Sequence, residues 1–147
     1  MNATAEKFGY PRTLVAEWAH WLVLLRPAQV TLGSLVLVCR EPVGRFGAIS
    51  PAAAAELREV VAAVERALGE CLRFDKINYL MLMMLDPDVH FHVLPRYASA
   101  RSYAGQDFAD PCWPGPPDLT RGQPLPEGVQ AQLLADLRAR LAAAGTA

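Results

Sequence analysis

The sequence predicts an α+β fold in which helices pack against a sheet. The stretch from Ser50 to Arg73 has clear helical periodicity. Apolar runs of strand length precede it and follow it, so the chain combines helices with strands. A second helical pattern lies near the end of the chain, and no internal repeat occurs. We therefore expect a single domain over residues 1–147.

Composition limits the classes of function. The chain has 147 residues, of which 52% are hydrophobic and 20% are charged, as in ordinary globular proteins. A formal net charge of -1 argues against a nucleic-acid coat and a polybasic membrane arm. The longest strongly apolar run, Trp21 to Leu25, is too short to span a bilayer, and no signal-peptide pattern is present. We expect no nucleic-acid or membrane partner.

Cysteine usage indicates a reducing compartment. Cys39, Cys71 and Cys112 show no C-x-x-C spacing, and Cys39 and Cys71 lie in apolar runs. We interpret these two as reduced, buried thiols. A cytoplasmic location follows as the expectation.

The first third of the chain gives two strands and one short helix. Residues 1–10 show no pattern and are expected to form a loose lead-in. The segment Thr13 to His20 predicts a short helix. Trp21 to Leu25 and Gly33 to Cys39 are apolar runs that predict strands, and the Pro and Gly residues of Glu41 to Gly47 predict a loop.

The long helix has a recognisable start. Ser50 can accept hydrogen bonds from free N–H groups as the N-cap, and Pro51 suits the first helical position. We expect the helix to end near Arg73. Its apolar stripe comprises Leu57, Val60, Val61, Val64, Leu68, Cys71 and Leu72.

The next segment predicts a pair of strands. Lys76 to Leu85 is apolar with little alternation, so we interpret it as a strand with both faces buried and its methionines as core filling. Asp86-Pro87 predicts a tight turn, and Val89 to Leu94 predicts the second strand of a β-hairpin.

The last segment predicts a packed loop and a helix. Residues 97–128 are rich in Pro and Gly but contain aromatic residues, so we expect an irregular, packed loop. Val129 to Ala143 predicts the final helix, which places Val129, Leu133, Leu137 and Leu141 on one face.

Three polar residues alternate along the strand after Pro87. Side chains two apart on a strand lie on the same face, so Asp88, His90 and His92 project together. A neutral imidazole can attack phosphorus while a second imidazole contacts a phosphate oxygen. The same three residues could instead ligate a divalent metal. A third interpretation is a pair of histidines on a sheet surface without chemistry.

The stretch His90-Phe-His-Val-Leu-Pro-Arg96 resembles the second half of the histidine triad signature. Upstream, Leu24 to Ser34 resembles the nucleotide-cradling turn of that superfamily, and Ser50 to Arg73 matches its helix. The similarity spans residues 18–98, which we expect to form the core of the domain. Residues 99–147 would then form a C-terminal loop and helix.

The resemblance implies a fold and an activity. Histidine triad proteins have a five-stranded antiparallel sheet, usually in a homodimer. They act as nucleotidyl hydrolases or transferases, typically on dinucleoside polyphosphates, and need no tightly bound cofactor. By position, His90 matches the nucleophile that forms a nucleotidyl intermediate, and His92 matches the histidine that contacts the phosphate.

The sequence also departs from the family pattern. Asp88 occupies the place of the first triad histidine, where a carboxylate could orient His90. Arg26 occupies the place of the acid that holds the ribose hydroxyls, and Ser34 the place of a fourth histidine. The segment Leu80 to Pro87 replaces the polar loop that usually contacts the phosphate.

Five further polar or aromatic residues are secondary candidates. Arg96 could reach a phosphate or form a salt bridge, and Gln29 could hydrogen-bond a ligand. Asn78 lies in a strand and is expected to make a structural hydrogen bond. His20 could supply the missing fourth histidine or lie at the surface. Trp113 could cover the site or anchor its loop.

Two hypotheses about function follow from the resemblance. In the first, the protein is a hydrolase or transferase that cleaves a nucleotide-type phosphoanhydride or phosphoramidate through His90. Asp88, His90 and His92 would be catalytic, and Arg26, Gln29, Ser34 and Arg96 would bind substrate. In the second, the protein binds a small phosphorylated ligand or nucleotide with little turnover.

Overall fold

A computed structural model of the chain, described here for residues 2–142, contains a five-stranded antiparallel sheet. The strands are β1 (Leu14–Glu17), β2 (Trp21–Leu25), β3 (Leu35–Cys39), β4 (Lys76–Leu80) and β5 (His90–Arg96). Their order across the sheet is β1-β2-β3-β5-β4, and every neighbouring pair is antiparallel. The α+β class and the five-stranded sheet are therefore confirmed.

The two faces of the sheet carry different side chains. Alternate residues of β2, such as Trp21 and Val23, belong to the main core, whereas Leu22 and Leu24 belong to a smaller cluster on the opposite face. This separation follows from the two-residue period of a strand. The main core lies under the long helices, and the smaller cluster lies under the N-terminal segment.

Two helices cover the main core. Helix α2 (Pro51–Leu72) begins as predicted, because the Ser50 side chain accepts a hydrogen bond from the Ala53 N–H at 3.0 Å. It ends at Leu72, as predicted to within one residue, and the next residue, Arg73, caps it in a left-handed conformation. Helix α3 (Glu127–Ala142) buries the four predicted residues Val129, Leu133, Leu137 and Leu141. The final residue of the prediction, Ala143, lies outside the described residues.

The N-terminal predictions were wrong in two places. The segment predicted as a helix, Thr13 to His20, contains strand β1, which pairs with β2 through an irregular register between Leu14 and Ala16. Pairing with an apolar neighbour thus overrides a weak local helical pattern. The lead-in is not loose either, because it contains a short helix, α1 (Ala3–Lys7), that packs on the smaller cluster.

The strand predicted over Lys76 to Leu85 was too long. Strand β4 ends at Leu80, and residues 81–88 leave the sheet before the chain rejoins it, so no tight hairpin forms. Met83 has a φ of 54°, a left-handed conformation that cannot continue a strand. Met84 is 83% exposed, so the prediction of core methionines fails for this residue.

The C-terminal loop is more regular than predicted. A small hairpin joins β6 (Arg101–Tyr103) to β7 (Gln106–Phe108) through a turn with positive φ at Ala104 and Gly105. A single 3-10 turn, Leu119–Arg121, follows. The helices within residues 2–142 lack the combination of length and hydropathy that a membrane span needs.

Candidate active site

Strand β5 places both signature histidines on the face opposite the long helices. His90 lies opposite Val38 and His92 lies opposite Val36 on the neighbouring strand β3. Phe91, between them, points toward the main core. The two imidazole centroids are 5.2 Å apart with their rings nearly perpendicular. The predicted juxtaposition of His90 and His92 is thus present.

A hydrogen bond fixes the orientation of the His90 ring. Its Nδ1 lies 2.7 Å from the backbone carbonyl oxygen of Asp88. A carbonyl can only accept, so Nδ1 carries the proton. In the neutral ring, Nε2 then keeps its lone pair, which is the state that a nucleophilic histidine requires.

His92 is buried in its neutral form. The residue is 7% exposed, and its Nδ1 has no hydrogen-bond partner among residues 2–142. Burial, with the nearby positive charge of Arg26, lowers the pKa of His92 to about 4. The ring is therefore uncharged at neutral pH and can present an N–H to an acceptor.

We predicted that the carboxylate of Asp88 orients His90, but it contacts Thr4 instead. It accepts a hydrogen bond from the Thr4 N–H at 3.1 Å, and the Asp88 N–H donates to the Thr4 hydroxyl at 3.1 Å. The backbone carbonyl of Asp88, rather than its side chain, orients His90. The side chain instead holds the N-terminal segment against the histidine face.

The same position of Asp88 argues against a metal site. Among residues 2–142, no group of three His, Cys, Asp or Glu side chains is arranged to hold a metal ion. The predicted alternative of Asp88, His90 and His92 as a ligand set is thus contradicted, since the carboxylate points to Thr4.

Both histidines line a pocket of about 300 Å³. This volume lies at the lower end of the range for small-molecule sites. Five separate stretches of the chain form its wall, and most of the surface is apolar. The lining residues are Lys7, Phe8, Arg26, Leu82, Met83, Met84, Leu85, Asp86, His90, His92, Leu119 and Thr120.

Arg26, which we predicted to bind substrate, brings a cation to this pocket. Its Nη1 donates to the carbonyl oxygen of Ala28, but its buried Nε has no partner among residues 2–142. Burial lowers the pKa of the guanidinium. Gly122 packs so closely that a Cβ there would lie 2.9 Å from Arg26 Nη1. Part of this cation is therefore desolvated and poorly paired.

Gln29 does not reach the pocket and is not free to bind a ligand. Its amide donates to the carbonyl oxygens of Arg26 and Ser34 at 2.7 and 2.8 Å. Its Oε1 accepts from the N–H groups of Gly33 and Ser34 at 2.7 and 3.2 Å. These four contacts use both donors and both lone pairs of the amide. The residue shapes the turn between β2 and β3, so its prediction as a ligand contact was wrong.

Ser34 is also structural. It is fully buried, its hydroxyl donates to the Thr31 carbonyl at 2.7 Å, and it accepts from the Thr31 N–H at 3.0 Å. The hydroxyl closes the same turn. The prediction that Ser34 binds substrate is therefore not supported by its contacts.

Arg96 forms a salt bridge, the second of its two predicted alternatives, although the pair is buried and not at the surface, and it does not line the pocket. Its Nε and Nη2 contact the Asp110 carboxylate at 2.6 and 3.2 Å, and the two side chains are 5% and 1% exposed. Its remaining donors contact Asn78 and the Gly115 carbonyl at 2.8 and 2.9 Å. Arg96 thus ties the C-terminal loop to the sheet, and Asn78 has the structural role that we predicted.

The two remaining candidates lie elsewhere. His20 is at the β1–β2 connection, where its Nδ1 is 3.7 Å from Glu41. Neither His20 nor Trp113 lines the pocket that contains His90 and His92. Lys7 and Phe8 line the pocket but were not predicted, because nothing local in residues 1–10 indicates that they meet a strand far along the chain.

No protein-family model matches the sequence, and no curated protein matches it either. Solved structures of similar fold do exist. A histidine triad protein from Marinobacter aquaeolei has a TM-score of 0.76 at 23% identity, with 99% of each chain covered. A histidine triad protein from Bradyrhizobium japonicum has a TM-score of 0.73 at 22% identity, with 96% of each chain covered.

A third similar structure is more distant. It is a hypothetical histidine triad nucleotide-binding protein from Sulfolobus tokodaii, with a TM-score of 0.68 at 16% identity. The alignment covers 89% of this chain and 84% of that one. Because the identities are low, these likenesses establish the fold alone. The chain has the histidine triad fold, which confirms the resemblance at that level.

Proposed function

We propose, from the histidine triad fold and the geometry around His90, that the protein is a nucleotidyl hydrolase or transferase. Its substrate would be a nucleotide-type phosphoanhydride or phosphoramidate. The observation that carries the proposal is the 2.7 Å contact between His90 Nδ1 and the Asp88 carbonyl. That contact leaves Nε2 unprotonated in the neutral ring, in a residue that lines the pocket.

The proposed reaction has two steps. His90 Nε2 attacks the phosphorus and forms an N–P bond, while the bond to the leaving group breaks and the leaving group takes a proton from solvent. Water, or another acceptor with a hydroxyl group, then attacks the phosphorus and releases its proton to solvent, the N–P bond breaks, and the neutral imidazole is regenerated. His92 would donate to a phosphate oxygen, and Arg26 would neutralise charge that develops on the phosphate.

Mononucleotide release tests the proposal. The purified chain is mixed with dinucleoside polyphosphates and nucleoside phosphoramidates, and products are separated by chromatography. We expect turnover that His90→Ala abolishes and that His20→Ala, a histidine outside the pocket, leaves intact. Equal turnover in the His90→Ala variant would contradict the mechanism.

One observation favours a second candidate function. His90 is 3% exposed and His92 is 7% exposed, so both rings lie largely beneath other side chains. A protein that binds a small phosphorylated ligand or nucleotide with little turnover would fit this burial. Saturable binding of the same substrates without product would favour this second function over the first.

We further propose a homodimer in a reducing compartment. Strand β4 lies at an edge of the sheet, and an apolar groove beside it is lined by Leu57, Val61, Tyr79 and Phe91. A second copy of the chain would cover both features. All three cysteines are free thiols, which fits the cytoplasm.

A further inference from the structure

The N-terminal segment, defined as residues 2–10, lies over the histidine face of the sheet. Ala5 is fully buried and Phe8 is 9% exposed, and both pack with the β2 and β3 side chains that share a face with His90. A segment that buries apolar side chains over a pocket excludes water from that pocket. Removal of water strengthens electrostatic contacts between the remaining groups.

Anchors at three places hold the segment in position. Thr4 and Asp88 exchange two hydrogen bonds, each at 3.1 Å. The Asn2 side chain donates to the Cys39 carbonyl oxygen at 2.9 Å. Lys7 Nζ lies 2.8 Å from the Asp86 carboxylate. The partners of these anchors belong to β3 and to the loop before β5, so the segment is tied to both sides of the site.

Phe8 contacts both signature histidines. Its ring centroid lies 6.2 Å from that of His90 and 5.7 Å from that of His92, and the second pair is edge-on. Rings at these separations interact favourably. One aromatic side chain therefore restricts the orientation of both imidazoles, including His92, whose Nδ1 makes no hydrogen bond to hold it.

Lys7 adds a cation to the pocket next to Phe8. It lines the same cavity as Arg26, and its ammonium has two further donors besides the one directed to Asp86. We propose that residues 2–10 are part of the active site, where Phe8 positions the imidazoles and Lys7 binds the phosphate group that His90 attacks. The Lys7 role rests on the proposed function, whereas the Phe8 role does not.

Titration of His92 by NMR tests the positioning role. The charged groups around His92 are Arg26, Lys7 and Asp86, with His90 alongside. In the native chain the pKa should be near 4, because the ring is buried. Phe8→Ala should raise it toward the ordinary value of about 6.5 by admitting water. Phe8→Leu, which keeps an apolar cover, should leave it low.

Asp88 provides an independent test with the apolar side chains unchanged. Asp88→Ala removes the acceptor for Thr4 and should release the segment, so the pKa of His92 should rise. Asp88→Asn retains an acceptor oxygen and should preserve the low value. A His92 pKa that stays near 4 in both Phe8→Ala and Asp88→Ala would overturn the positioning role.

Binding of inorganic pyrophosphate tests the Lys7 role without any turnover. Calorimetry should show saturable binding to the native chain and a loss of affinity of about three- to tenfold in Lys7→Gln. Lys76→Gln is the matched control, because Lys76 is exposed at the far end of β4, opposite Arg96. No saturable binding to the native chain, or equal affinity in both variants, would overturn the Lys7 role.

The outcomes separate this inference from the proposed function. If His90→Ala retained turnover, the nucleophile would be wrong, yet the titration of His92 would still decide the role of Phe8. If turnover required His90 but the titration and pyrophosphate results did not change with the variants, the N-terminal segment would be only structural.

Discussion

His92 and Arg26 each keep a buried nitrogen without a partner among residues 2–142, whereas Gln29, Ser34 and Arg96 use their polar atoms within the fold. A buried polar atom without a partner is costly. His92 and Arg26 both line the pocket, so a ligand oxygen that reached either nitrogen would remove this cost. Hydrogen-bond satisfaction thus separates the site residues from the residues that only shape the site.

Arg96 should be important for stability rather than for binding. Replacement by Gln would leave the Asp110 carboxylate buried without its cation and should cost about 3–5 kcal/mol of the free energy of unfolding. Chemical denaturation measures this change. Arg101→Gln, which breaks the more exposed pair with Asp75, should cost no more than about 1 kcal/mol. Similar losses of the free energy of unfolding in the two variants would contradict the structural role of Arg96.

Asp110 should also make stability depend on pH. Burial raises its pKa, but hydrogen bonds from Arg96 and from the Tyr97 N–H outweigh burial, so the pKa lies below its ordinary value. A lowered carboxylate pKa contributes stability that is present above the unfolded pKa, about 3.9, and is lost as pH falls through the folded pKa. The free energy of unfolding of the native chain should therefore lose this contribution as the pH falls below about 4. In the Asp110→Asn variant, the plot of the free energy of unfolding against pH should be flatter in that range.

At the scale of elements, the sequence predicts helices and strands correctly where the hydrophobic periodicity is strong, and it fails where the periodicity is weak. Helix α2 carries its start signal at Ser50 and its apolar stripe ends at Leu72, so its bounds follow from local sequence. Strand β1 has no such signals, and only its pairing with β2 makes it a strand. The apolar run after Leu80 leaves the sheet to line the pocket, which local hydrophobicity does not indicate.

The N-cap of α2 should contribute measurably to stability. Ser50→Ala removes the acceptor for the Ala53 N–H and should lower the free energy of unfolding by about 1 kcal/mol. Ser50→Asp keeps an acceptor and should recover most of that loss. Urea denaturation followed by circular dichroism compares the three proteins. An unchanged free energy of unfolding in Ser50→Ala would show that the cap does not contribute to stability.

At the scale of the whole molecule, the site combines segments that are distant in sequence. Phe8, Arg26, Leu85 and Thr120 meet around the histidines only because the sheet order and the C-terminal loop bring them together. The histidine pair was predictable because it lies within one strand. The position of the N-terminal segment over the site was not predictable, since its contacts with the site join residues that are far apart along the chain.

The proposed homodimer leads to a prediction about mass. Light scattering should give twice the 16.0 kDa chain mass. Val61→Glu places a charge in the apolar groove beside β4 and should yield the monomer mass, whereas Ala62→Glu, on the exposed side of α2, should not. A native chain that already runs at the monomer mass would contradict the dimer.

Direct detection of a covalent intermediate would test the central claim, which is that His90 is the nucleophile. The chain is mixed with a substrate that it turns over, quenched in alkali to preserve an N–P bond, and digested for mass spectrometry. We predict a nucleotidyl group on the peptide that contains His90, located on that ring and absent from the His90→Ala variant. Turnover that proceeds with the nucleotidyl group on another residue would contradict the account.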